Sequence, residues 1–252
     1  MLKVRIIPVL LLKNGRMVKG KKFTDFKDTG DPIFASRIYN AQFVDELIFL
    51  DIDATNESRE TNVEVISEVS KECFMPLTIG GGISSIQQIR KLLNAGADKV
   101  VINTAALNNP SFITEAADVF GSQCIVVGID VKFEDNGYVI YSNSGKVRRE
   151  EDLVNYIKTV ESLGAGEIFI NSIDNDGMME GYDQQLIELV MSSTSLPVIA
   201  CGGAGNFMHL VNTFKSTGVS ALAMASIYHF GDNNPVRARS YLKNNDILIK
   251  TV

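Results

Sequence analysis

Apolar runs of strand length alternate with longer amphipathic stretches from one end of the chain to the other. Runs near 4–11, 46–52, 76–80, 98–103, 124–130, 166–171, 196–200 and 221–225 are mostly continuous Val, Ile, Leu and Phe rather than alternating apolar and polar. That is the pattern of parallel strands covered on both faces. The stretches between them carry helix-start chemistry, because Asp31-Pro32, Ser84-Ser85, Asn109-Pro110 and Asn234-Pro235 each set a capping side chain at or near a first turn. Strand and helix patterns alternate through 252 residues with no linker or low-complexity tract. The expectation is a single (β/α)8 TIM barrel over 1–252, a fold whose usual length is about 250 residues.

Two connections are longer than the rest, and long loops at the C-terminal ends of barrel strands carry function. Residues 12–31 follow the first strand. Residues 131–149 follow the fifth, and Asp135-Asn136-Gly137 between Phe133 and Tyr138 predicts a β-hairpin there. Both lie on one rim.

The punctuation of the runs is itself duplicated. Thr78-Ile79-Gly80-Gly81-Gly82 and Ile199-Ala200-Cys201-Gly202-Gly203 each turn an apolar run into glycines and then into a polar helix start. Gly203 stands 121 positions after Gly82, Asp130 stands 119 after Leu11, and Phe169-Ile170-Asn171 stands 120 after Phe49-Leu50-Asp51. A period this long predicts a duplicated half-barrel rather than a solenoid. Glycines after a strand let backbone N–H groups approach an anion, and the helix that follows points its positive end at the same spot. One such stretch reads equally well as a plain strand-to-helix turn. Two at matching intervals favour a pair of phosphate sites across one barrel mouth, suited to an elongated ligand with an anionic group at each end.

Composition narrows the classes. The net charge of -6, with Lys and Arg scattered, gives no nucleic-acid surface. Cys73, Cys124 and Cys201 are far apart and form no C-x-x-C, which reads as buried thiols in a reducing cytoplasm. With two histidines, His209 and His229, and no clustered Cys, no metal site is expected, and no cofactor motif appears. The run from Ile6 to Leu12 is at the short limit for a signal peptide and stops at Lys13-Asn14-Gly15. A buried first strand explains it better, and no run is long enough to span a membrane.

At this level of detail the chain resembles the HisF family, the cyclase subunit of imidazole glycerol phosphate synthase. The resemblance runs from Arg5-Ile6-Ile7 through Gly15-Arg16, Val18-Lys19-Gly20 and Gly30-Asp31-Pro32 to His229-Phe230. Its specific motifs are Gly80-Gly81-Gly82, Ile102-Asn103-Thr104-Ala105-Ala106, Ser172-Ile173-Asp174, Asp176-Gly177, Gly181-Tyr182-Asp183 and Gly202-Gly203-Ala204-Gly205. The resemblance implies a barrel paired with a HisH-like glutaminase, whose ammonia passes through the barrel to a bis-phosphorylated substrate at the opposite face. Carried over by position, one phosphate site is Gly82, Asn103 and Thr104, and the other is Asp176, Gly177, Gly203 and Ser226, with Lys19 helping from the first loop. Arg5, Glu46, Lys99 and Glu167 stand near strand starts, where the family has an ammonia gate. Exposed charges also commonly begin strands, and the resemblance decides for the gate. Asp98 then lies at the glutaminase interface.

The chain departs from the family at the reacting centre. Two aspartates act there as acid and base, and Asp130 is present, but Leu11 occupies the partner position. A leucine neither gives nor takes a proton. Asp53 and Asn171 stand where the family usually has threonines, and Asp53 is the candidate substitute acid. These departures resemble paralogues paired with HisH-like glutaminases, and with a further ligase, in acetamidino-sugar biosynthesis for surface polysaccharide, and that reading is placed first. A histidine-biosynthesis cyclase is the alternative. A phosphate-binding barrel without ammonia chemistry is the third.

Overall fold

The computed structural model describes residues 3–250. Eight parallel strands close a barrel: β1 (Arg5–Lys13), β4 (Leu47–Asp51), β5 (Leu77–Gly80), β6 (Lys99–Ile102), β7 (Ile125–Glu134), β10 (Glu167–Ser172), β11 (Val198–Cys201) and β12 (Ala221–Met224). They neighbour one another in that order, and β12 pairs back onto β1 with Arg5 opposite Ala221. The (β/α)8 expectation holds, and each observed strand overlaps a run read from the sequence.

Helices cover the outside: α1 (Pro32–Ala41), α2 (Val63–Ser70), α3 (Ile86–Asn94), α4 (Thr104–Asn108), α5 (Ser111–Phe120), α6 (Leu153–Ser162), α7 (Gln184–Ser193), α8 (Phe207–Thr217), α9 (Ser226–His229) and α10 (Pro235–Asn244). Their starts follow the side-chain chemistry anticipated above. Asp31 accepts from the backbone N–H of Phe34, Asn234 accepts from that of Arg237, and Ser85 forms a capping box with Gln88. Asn109 is the exception, because its side-chain oxygen takes the Ser111 hydroxyl at 2.8 Å instead of a helix N–H.

Strand periodicity sorts the core in two. Outward side chains such as Ile6, Leu10, Leu47 and Phe49 pack beneath the helices. Inward ones, Ile7, Val9, Ile48, Val101, Val126, Phe169, Ile199, Ala221 and Ala223, fill the barrel. The same parity continues past the core at both ends. Arg5, Ile7, Val9 and Leu11 lie on one inward column, as do Lys99, Val101 and Asn103, and likewise Glu167, Phe169 and Asn171.

The predicted hairpin is present. β7 runs into β8 (Gly137–Ser142) through Asp135 and Asn136, both at positive φ, and a further strand, β9 (Val147–Asp152), adds to its edge. Residues 12–31, expected as a long loop, instead form a second ribbon. β1 continues to Lys13, Asn14-Gly15 reverse the chain at φ 50° and 73°, and β2 (Arg16–Lys21) and β3 (Thr24–Gly30) follow. The missed signal is the Asn-Gly pair itself, which sets a tight turn between strands. A ribbon on β1 and another on β7 repeat the half-barrel at the level of structure.

Phe49 is fully buried whereas Phe34 is 63% exposed. Urea unfolding is expected to show a loss of about 3–5 kcal/mol for Phe49→Ala and a change within about 0.5 kcal/mol for Phe34→Ala.

Candidate functional site

A cavity of about 690 Å³ opens at the C-terminal ends of the strands. Lys19, Gly82, Asn103, Thr104, Asp130, Asp176, Gly177, Gly203 and Ser226 all line it, and so does Leu11. The two glycine turns need glycine. Gly82 and Gly203 have φ of 69° and 109°, and a Cβ on Gly203 would stand 1.9 Å from the carbonyl oxygen of Gly181. The short helices α4 and α9 begin beside these turns, and neither has a side chain capping its first N–H groups. Those donors are the kind an anion satisfies. The N–H of Gly82 itself is engaged, donating to Thr55 Oγ1 at 3.2 Å. Across the mouth, Ser226 is buried and its hydroxyl has no partner.

Asp130 ends the inward column of β7. Nδ2 of Asn103 donates to its Oδ2 at 2.9 Å, and Asn171 pairs with it across the β10 ladder. Burial pushes the Asp130 carboxyl up to about 7, the amide of Asn171 works against the rise, the nearby charge of Asp176 adds to it, and Asn103 again opposes it. A carboxyl poised there exchanges protons at neutral pH. Leu11 faces the same cavity and supplies no second acid. Asp53 is not among the cavity residues. Its carboxylate turns toward Lys13, 3.4 Å from Nζ.

The rim is held by ion pairs. Lys19 is buried, and its Nζ donates at 2.8 Å to both carboxylate oxygens of Asp176 and at 2.9 Å to the Gly20 carbonyl. Its hydrogen-bonding capacity is thereby used within the protein. The N–H of Lys22 donates to the Asp176 carbonyl at 2.8 Å, so the tip of the β2–β3 ribbon is pinned over the mouth, with Phe23 and Phe26 in the cavity wall. On the opposite ribbon, Ser144 donates to the Ile52 carbonyl at 2.7 Å, and the N–H of Asn143 donates to Thr104 Oγ1 at 3.0 Å.

Sequence reasoning overlooked one charged pair. Asp51, buried at the end of β4, takes two hydrogen bonds from the Arg59 guanidinium, 2.6 and 2.9 Å, and both residues line the cavity. The available signal was position, since Asp51 precedes Asn171 by the half-barrel period. Cys201 also lines the cavity, and burial pushes its thiol up to about 12, so it is no nucleophile at neutral pH.

At the other end of the barrel, Arg5, Glu46, Lys99 and Glu167 form a closed ring. Arg5 donates to Glu46 at 2.8 Å and to Glu167, and Lys99 donates to Glu46 at 3.1 Å and to Glu167 at 3.0 Å. The Thr78 hydroxyl completes Glu46 at 2.6 Å. Two cations and two anions alternate, so the plug carries no net charge. Asp98 lies beside it, accepting the N–H of Leu77 at 2.8 Å.

Comparison with known proteins decides the family. Residues 5–234 match the model described as histidine biosynthesis protein. The imidazole glycerol phosphate synthase subunit HisF of Hydrogenobaculum sp. (strain Y04AAS1) is 49% identical over 251 residues, covering 99% of this chain and 100% of that protein. The subunit of the same name from Staphylococcus carnosus (strain TM300) is 44% identical over 252 residues, covering 99% of each. The chain belongs to the HisF family. Among the described residues no helix is long and apolar enough to cross a membrane.

Two stability predictions follow from the charges of this HisF-family barrel. Removing one anion from the ring leaves Arg5 and Lys99 sharing the single carboxylate of Glu46, with one positive charge uncompensated in a partly buried site, so Glu167→Gln is expected to cost about 3 kcal/mol in urea unfolding. Because the folded protein raises the Asp130 carboxyl above its ordinary value, the stability tied to its neutral form is complete below about pH 4 and lost as pH rises through about 7. Asp130→Asn is therefore expected to gain on the native protein across that window, by up to about 1.4 kcal/mol per pH unit, in unfolding curves measured at pH 5 and pH 8.

Proposed function

We propose that this chain is the synthase subunit of an imidazole glycerol phosphate synthase, taking ammonia from a HisH-like glutaminase and adding it to a bis-phosphorylated substrate at the barrel mouth. The observation that carries the proposal is the meeting of Asp130 with the two glycine turns in one cavity, at the far end of the barrel from a neutral ring of charges. The names of both relatives favour this histidine-biosynthesis reading over the surface-sugar reading that the sequence placed first. The chain works in the cytoplasm on this reading.

In this mechanism the Gly82 turn shapes the site of one phosphate, which Asn103 and Thr104 face through backbone N–H groups, and Gly177, Gly203 and Ser226 face the other through backbone N–H groups and the free Ser226 hydroxyl. Holding both ends fixes the reacting centre over Asp130. Lys19 and Asp176 act together, pinning the ribbon over the bound ligand. Arg5, Glu46, Lys99 and Glu167 form the gate, which opens when one pair separates, and neutral ammonia then crosses the apolar interior without desolvating a charge. Asp130 serves first as base and then as acid. One carboxylate can fill both roles when the two transfers are sequential and its affinity for protons lies near the working pH.

A second reading is favoured by Leu11. With no acid there, a barrel that grips a ligand and conducts ammonia suits delivery to another acceptor, such as a nucleotide-linked sugar in surface polysaccharide, with a ligase as further partner.

The test is turnover of the bis-phosphorylated histidine-pathway substrate by purified barrel with an ammonium salt. Imidazole product is expected, with kcat/KM rising as pH increases through about 7, where Asp130 becomes the ionised base, and with a loss of at least about 100-fold in Asp130→Asn. Absence of product from folded protein that still activates a bound glutaminase overturns the first reading in favour of the second.

A further inference from the structure

The two short helices at the mouth are held differently. α4 is five residues long, and a helix of that length is not stable on its own. The β8–β9 ribbon grips it at both ends. At its start the N–H of Asn143 donates to Thr104 Oγ1 at 3.0 Å. At its end the guanidinium of Arg149, on β9, donates through Nη2 to the Leu107 carbonyl at 3.2 Å and through Nη1 to Asn108 Oδ1 at 2.9 Å. The Leu107 carbonyl is one of the acceptors that a helix end leaves free, and a cation there complements the negative end of the helix dipole.

Arg149 is itself fixed. Its Nη2 and Nε donate to the two carboxylate oxygens of Glu151, on the same strand, at 2.9 and 3.3 Å. The pair leaves the guanidinium little net charge to offer an anion in the cavity. What Arg149 offers is a planar fork that ties a helix end to a strand. α9, across the mouth, is closed by its own backbone, the N–H of Phe230 donating to the Ser226 carbonyl at 3.1 Å. The β2–β3 ribbon is pinned to the Asp176 loop instead, through Lys19 and the N–H of Lys22, and it packs so closely on Gly177 that a Cβ there would stand 2.2 Å from the Gly20 carbonyl oxygen.

We propose that Arg149 is a positioning residue for the phosphate site of Asn103 and Thr104: by tying the end of α4 to β9 it keeps the N–H groups at the start of that helix aimed at the anion. The proposal rests on the reading of that turn as a phosphate site. α4 is roughly 8 Å long, so a shift at its far end tilts the donors at its start, and hydrogen bonds weaken steeply with misalignment. The reach of Arg149 is confined to one end of an elongated ligand, so the two sites respond differently to its loss.

The test uses inorganic phosphate rather than turnover. Backbone N–H signals of Thr104 and Ala105 on one side, and of Gly203 and Ser226 on the other, are followed by NMR in 15N-labelled barrel as sodium phosphate is added, with sodium chloride as control. Saturable shifts with phosphate alone are expected at both sites. Arg149→Leu, checked as folded by circular dichroism, is expected to weaken phosphate about tenfold at Thr104 while Gly203 and Ser226 stay within about twofold of the native value. Arg149→Lys, which decides the matter if Arg149→Leu does not fold, keeps the charge, but one ammonium cannot span Leu107, Asn108 and Glu151 together, and weakening of about threefold is expected at Thr104 alone. An unchanged Thr104 site in either folded variant, or equal weakening at both sites, overturns the positioning role and leaves the phosphate reading standing. Absence of saturable shifts in the native protein overturns the phosphate reading, and the proposal with it.

Discussion

Everything in this protein hangs on the alternation of side chains along a closed parallel ladder. The register that places Leu11 opposite Leu50 and Asn171 opposite Asp130 also fixes which residue of each strand looks inward. A slip of one residue would exchange barrel interior for helix-facing core at every position. Because the ladder closes, no strand can slip alone. Arg5, Ile7, Val9 and Leu11 therefore belong to four successive levels of one column: ring, two apolar levels and cavity. The charged ring and the cavity are the two ends of a single stack of side chains, separated by a dry interior.

That arrangement sets how charge is handled at each end. At the bottom the ring is self-compensating, so it can be buried deeply at Glu46 and Glu167 while Arg5 and Lys99 keep partial access to water. At the top, Asp51 is neutralised by Arg59 and Asp176 by Lys19, and Asp130 alone has only neutral amides. A buried carboxylate without a cation holds its proton more tightly. The residue left without a cation is the one whose proton affinity burial raises to about 7. The three aspartates thus differ in their partners: Asp51 and Asp176 sit in ion pairs, and Asp130 meets an amide.

Much of this was legible in the sequence because the barrel writes itself in periodic signals. Continuous apolar runs gave strands, glycines after two of them gave the turns of the mouth, and Asp-Asn-Gly gave the hairpin on β7. What escaped was decided by pairing across space. Asn14-Gly15 lies in a polar stretch, so the ribbon of β2 and β3, poor in buried apolar side chains beyond Met17 and Val18, lacks the apolar pattern that betrays a strand. Asp53 shares the parity of Asp51 in the sequence, yet it lies past the end of β4 and its carboxylate turns to Lys13 rather than to the cavity. Lys19 reads as a free cation for a phosphate, but only the fold brings Asp176 to it across 157 positions.

Leu11 acquires a different meaning once its neighbours are known. It packs with Leu50 and Cys201 against the apolar interior, so the levels below the cavity are drier than they would be with a carboxylate at that position. A drier wall raises the cost of ionising Asp130 and strengthens each hydrogen bond made beside it. Leu11 is thus part of the apolar wall beside the cavity, and burial is the largest cause of the raised proton affinity of Asp130.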